Sequence, residues 1–91
     1  MTDTNIQDWL EVFAALASDA RLEIVRMISK QQMTCQDIID QLELSQPAIS
    51  YHLAKLERAG ILTKKKFGSR NCYWLNERLE KLVEMINEED R

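Results

Sequence analysis

Few side chains in this 91-residue chain could carry reaction chemistry. It holds one histidine, His52, and two cysteines, Cys35 and Cys72. One imidazole and two thiols in separate segments do not supply the convergent ligands of a tetrahedral metal site. There is no nucleophile–base set, no pocket motif of paired carboxylates and no phosphate loop, so neither an enzyme nor a cofactor is expected. Chemistry of another kind is concentrated in residues 45–73. Lys55, Arg58, Lys64, Lys65, Lys66 and Arg70 stand there against Glu57 alone, a balance of +5, while the rest of the chain carries −8. The net charge of −3 hides this separation. Local potential governs association with nucleic acid more than total charge does. Gln46, Ser50 and Tyr51 lie beside the cations and offer hydrogen bonds. Cations for phosphates and short polar groups for base edges together point to nucleic-acid contact.

Two elements have to present these groups. The first is a helix over 45–59, SQPAISYHLAKLERA, with Ser45 as its N-cap and Pro47 in its first turn, where a missing N–H costs little. Gly60 follows as a natural C′ residue. At 100° per residue, Leu53 and Leu56 fall within about 40° of Ile49, so these three face a core. The other side carries Pro47, Ser50, Tyr51, Ala54, Lys55 and Arg58, with Gln46 at its edge and His52 on the shoulder. Small residues on that side permit close approach to a groove floor. The second element is a hairpin over 61–75. ILTKKKF and NCYWL are rich in β-branched and aromatic residues, and Phe67–Asn71 form its tip. Alternation puts Lys64 and Lys66 on one face and Lys65 on the other. Lys64, Lys65, Lys66, Ser69 and Arg70 suit phosphate or minor-groove contact, and lysines there also protect an edge strand from aggregation.

The remaining segments are helical. Ile6, Trp9, Leu10, Phe13 and Leu16 form one stripe on a helix over roughly 5–17. Ser18 or Asp19 caps a second helix containing Leu22, Ile24, Val25, Met27 and Ile28. Thr34 caps a third, with Asp37 completing a capping box and Ile38, Ile39 and Leu42 as its apolar positions. After the hairpin, Leu79, Leu82, Val83 and Ile86 mark a last helix. The order is four helices, two strands and a helix, in an α+β, mainly α, winged helix-turn-helix domain spanning 1–91.

LSQPAISYHLAKLERAGIL followed by KKKFGSRNCYWLN resembles the recognition helix and wing of the ArsR/SmtB family of repressors. LASDARLEIVRMI resembles the family's second helix, and the likeness covers about residues 8–86. It implies a homodimeric, sequence-specific repressor that binds an inverted repeat in double-stranded DNA. The recognition helix would enter the major groove and the wing would meet the backbone or minor groove. It also implies a dimer interface made by the first and last helices. Ile6, Trp9, Leu10, Phe13, Leu79, Leu82, Val83 and Ile86 would form it. Many members sense metals through Cys-x-Cys-Asp at the third helix or through histidine and acidic ligands on the last. Here Thr34-Cys35-Gln36-Asp37 has one cysteine, aligned between the usual two, and ERLEKLVEMINEEDR has no histidine. No metal site of the usual kind is expected.

Two alternatives stay open at the level of sequence. One is a winged helix used for protein contact. The other is a repressor whose response is redox-driven through Cys35 and Cys72, which otherwise are small structural hydrophobes. His52 is read as partly buried, with a ring nitrogen bonded to backbone or phosphate. No apolar run reaches the roughly 20 residues of a membrane span, and MTDTNIQDWLEVF does not resemble a signal peptide. A cytoplasmic location is expected, with an unidentified inducer or protein partner as a further possibility.

Overall fold

The computed structural model describes residues 2–89, with side chains from Ile6 onward. In chain order the elements are α1 (Thr2–Leu16), α2 (Asp19–Lys30), β1 (Met33–Thr34), α3 (Cys35–Gln41), α4 (Gln46–Arg58), β2 (Leu62–Phe67) and β3 (Arg70–Leu75). A single 3₁₀ turn (Glu77–Leu79) then leads into α5 (Glu80–Glu89).

Side-chain caps set the helix starts. Ser18 Oγ accepts from Arg21 N at 3.3 Å, which opens α2 at Asp19. Thr34 and Asp37 close the expected box: Asp37 N donates to Thr34 Oγ1 at 3.1 Å, and Thr34 N donates to Asp37 Oδ2 at 3.0 Å. Ser45 Oγ accepts from Ala48 N, with Pro47 in the first turn of α4. The end of α4 is a Schellman motif. Gly60 sits at φ +80°, Gly60 N donates to Glu57 O at 3.0 Å, and Ile61 N donates to Leu56 O at 3.0 Å. Only a residue without Cβ adopts that conformation freely. The chain therefore reverses, and Ile61 enters the core fully buried.

The hairpin is tighter than its sequence suggested. Phe67 pairs with Arg70, leaving only Gly68 and Ser69 in the turn. Gly68 has φ +62° and Ser69 does not have positive φ, which fits a type II′ turn matched to strand twist. Pairing puts Lys64 and Lys66 on the face of Tyr73 and Asn71, and Lys65 on the face of Cys72 and Trp74. A third strand, not foreseen, completes the sheet in the order β1-β3-β2. Met33 pairs with Tyr73 and Thr34 with Cys72. Two residues are too few to show alternation, and β1 exists because the outer edge of β3 is there to pair with.

The core joins every element. Val12, Ile24, Val25, Ile38, Ile49, Leu53 and Leu56 are buried to within 1% of completely. Full burial of one such side chain contributes about 1.5–3 kcal/mol. Leu79 and Val83 belong to the same core. They were expected to meet a partner subunit. At 0% and 1% exposure they have no surface to offer one, because they lie inside the core where the 3₁₀ turn leads into α5 and α5 packs on α2. Polar contacts reinforce that seam. Arg26 Nε donates to Asn87 Oδ1 at 3.1 Å, and Asn87 Nδ2 donates to Ser29 Oγ at 3.3 Å.

Candidate nucleic-acid interface

Helix α4 is pinned by one face. Ile49, Leu53 and Leu56 sink into the core, which leaves Gln46, Pro47, Ser50, Tyr51, Ala54 and Arg58 exposed on the other side. Lys55 is partly covered, with Nζ 5.6 Å from the centre of the Tyr51 ring. The exposed face carries no long aliphatic chain, so a duplex could approach its backbone closely. Ser45 belongs to the site by place, but its hydroxyl is engaged in the cap.

His52 is partly buried as expected, and its Nδ1 meets a side chain where backbone or phosphate was expected. Its ring lies partly buried between α4 and α2, with Nδ1 3.3 Å from Arg21 Nη1, and Tyr51 meets it edge-on at 5.5 Å. Arg21 Nε in turn donates to the carbonyl of Ala15 at 2.6 Å. A guanidinium has no acceptor, so the contact requires an unprotonated Nδ1. Burial first, and the Arg21 charge second, push the His52 pKa below its ordinary value. Arg21 itself had gone unremarked in the sequence. Its contact spans 31 residues of chain, and no local pattern reports it.

The hairpin arranges its cations unevenly. Lys64 lies 3.5 Å from Glu57 of α4, so this lysine steadies the hairpin against the helix. Lys65 lies over the Trp74 ring at 5.8 Å, and Phe67 packs on the same ring at 5.7 Å. Lys66, Ser69 and Arg70 are exposed around the tip. A groove of about 360 Å³ runs between α3, the start of α4 and the hairpin tip, and Gln46, Ser69 and Arg70 all line it. The fold thus brings the first residue of α4 and the end of the hairpin to one cleft.

On another side, Ile6, Trp9, Leu10 and Phe13 project from α1, with exposures of 38–58%. Met85 of α5, not anticipated, is exposed at 61%, while Leu82 and Ile86 are half-buried. Its spacing of three from Leu82 was the available signal. Arg78 stacks over Trp9 at 5.1 Å, which joins the α1 stripe to the entrance of α5.

The two thiols lie on adjoining elements, since Thr34, the residue before Cys35, pairs with Cys72. Cys35 packs against the core, and its proximity adds a small push, after burial and Glu57, to the raised pKa of the Tyr73 hydroxyl. Cys72 lies across from Lys65, and both thiols are free. Among the described residues, no three His, Cys, Asp or Glu side chains converge as a metal cage. No helix among them is long and apolar enough to cross a membrane.

A family model described as the arsR family of bacterial regulatory proteins matches residues 18–64. An uncharacterised HTH-type transcriptional regulator of Methanocaldococcus jannaschii is 34% identical over 80 residues, covering 86% of this chain and 90% of that protein. Among solved structures, HlyU of Vibrio cholerae superposes with a TM-score of 0.86 at 28% identity, covering 92% of each chain. The transcriptional repressor PagR of Bacillus anthracis superposes with a TM-score of 0.82 at 27% identity, covering 91% of this chain and 97% of that one.

Proposed function

Since the chain belongs to the arsR family of bacterial regulatory proteins, we propose that this DNA-binding transcriptional repressor works as a symmetric homodimer on an inverted repeat. It is a regulator and not an enzyme. Residues 1–91 serve as one unit for both DNA binding and dimerisation, in the cytoplasm. Helix α4 enters the major groove, where Gln46, Ser50 and Tyr51 meet base edges. Lys55 and Arg58 reach the flanking phosphates, and Lys65, Lys66, Ser69 and Arg70 hold the backbone or minor groove. Lys64 contributes mainly by fixing the hairpin to α4, and His52 by fixing α4 to α2. Ile6, Trp9, Leu10, Phe13, Leu82, Met85 and Ile86 cover one another across the two-fold axis. The two recognition helices then read half-sites about 34 Å apart.

The observation that carries this reading is the cleft shared by Gln46, Ser69 and Arg70. A base-reading helix and a backbone-holding hairpin are useful together only when both border the same duplex. The test is a salt titration of binding to promoter DNA containing an inverted repeat, against the same DNA with one half-site scrambled. Preference for the intact repeat and a steep decline with salt are expected. Binding that ignores both the repeat and salt would overturn the proposal.

A further inference from the structure

A second recess lies outside the cleft between α4 and the hairpin. It is a pocket of about 240 Å³ between α1, α2 and the C-terminal half of α4, and Arg21, Lys55 and Arg58 line it together with Glu11. Three cations against one carboxylate leave a positive surplus in a recess walled elsewhere by alanines, Ala14 and Ala59 among them. Two of the cations are held in place before any ligand arrives. Arg21 is braced through Nε by the Ala15 carbonyl and through Nη1 by His52, and among the described residues Nη2 has no hydrogen-bond partner. Lys55 is steadied over Tyr51. A fixed guanidinium loses less side-chain entropy per bond and suits a tetrahedral oxyanion.

We propose that this pocket is an oxyanion site that seats one phosphate of bound DNA, with Arg21 as its central donor. The inference rests on the DNA-binding reading above, and it adds to it a contact from α2. The pocket adjoins Lys55 and Arg58, at the end of α4 where the helix leaves the groove and the phosphate backbone passes. A phosphate seated there would bridge α2 and α4. The brace on His52 and the grip on DNA would then form one chain of contacts running from Ala15 through Arg21 to the duplex.

Replacing Arg21 would also remove two structural bonds, so the test leaves it in place. Ala14→Glu adds a carboxylate to the pocket wall from an exposed position of α1, and Glu11→Gln removes the one already there. Gln32→Glu, outside the pocket, α4 and the hairpin, controls for net charge. Binding of each full-length variant to a fluorescent duplex of random sequence is followed against salt, since phosphate contacts are independent of sequence. Ala14→Glu is expected to weaken binding severalfold and to flatten the log–log salt slope by about 0.9, the loss of one phosphate. Glu11→Gln is expected to tighten it. If both change affinity no more than their net charge does in Gln32→Glu, the site is overturned. The NMR signal of Arg21 Nε–H distinguishes the source of the oxyanion. Movement on adding duplex in the wild type but not in Ala14→Glu supports a DNA phosphate. Saturation by inorganic phosphate at constant ionic strength, with no response to duplex, would instead assign a free oxyanion and overturn the DNA assignment. A wild type that binds no duplex would overturn the DNA reading itself, which is a different failure.

Discussion

At the scale of single residues, the proposed interface assigns reading to α4 and holding to the hairpin. Gln46 and Ser50 are exposed, short and neutral, whereas Lys65 and Arg70 carry charge at the hairpin. Gln46→Ala and Ser50→Ala are expected to reduce discrimination between operator and random DNA by about 1–3 kcal/mol at each lost base contact. Lys65→Ala and Arg70→Ala are expected to weaken binding to both alike and to flatten the salt slope by about one unit each. Anisotropy titrations on both duplexes check the division, and identical behaviour of the two classes would refute it. His52 makes a prediction about pH. Burial and Arg21 hold its pKa below the ordinary value, so the folded chain takes up the proton less readily than the unfolded chain. The stability from neutral His52 is complete above about pH 6.5 and is lost as pH falls through the lower folded value. The urea midpoint should fall between pH 7 and 5, and should fall less in His52→Gln, which cannot be protonated. Equal falls in the two proteins would show that other groups account for the change.

At the scale of elements, α4 is held at both ends by different devices. Ser45 and Pro47 start it, and the left-handed Gly60 ends it and turns Ile61 into the core. An added Cβ at Gly60 meets nothing within 4 Å, so the cost of Gly60→Ala is backbone strain alone. A loss of about 1–2 kcal/mol is expected in urea unfolding. A larger loss would mean that the reversal after α4 has rearranged. Asn76 guards the same junction from the other side. Its Nδ2 donates to the Gly60 carbonyl at 3.0 Å and its backbone N–H to Ile61 O at 2.9 Å. The end of the hairpin and the end of α4 are thereby tied together. With the Lys64–Glu57 pair, this holds the hairpin at a set angle to α4.

At the scale of the whole molecule, one apolar face has no cover among the described residues. Ile6, Leu10, Phe13 and Met85 are each more than half exposed. An exposed apolar stripe such as the one on α1 marks an interaction site. Leu10→Glu puts a charge in its midst, at a position whose side chain is outside the core. Sedimentation should show the wild type as a dimer and Leu10→Glu as a folded monomer. Its affinity for an inverted repeat should drop by about 100-fold or more, because the second half-site no longer adds avidity. A dimeric Leu10→Glu would place the subunit contact elsewhere.

Much of this molecule was legible in its sequence because the signals were local. Helical period, Ser45, Thr34 with Asp37, and the glycines at 60 and 68 act over a few residues. They located the five helices, the hairpin and the core face of α4. The charge segregation toward 45–73 likewise needs only the order of residues. Tertiary structure decided what depends on distant partners. Leu79 and Val83 share a stripe with Leu82 and Ile86, and periodicity alone cannot tell a core contact from a subunit contact. The close packing of α5 on α2 made the first two core residues. Strand β1 exists only beside β3, where it sets Thr34 opposite Cys72, and Lys64 is committed only because Glu57 faces it. The Arg21–His52 contact is the clearest case. Its two residues lie on different helices, and only the packing of α2 against α4 turns a histidine that faced an unknown partner into a support of α4.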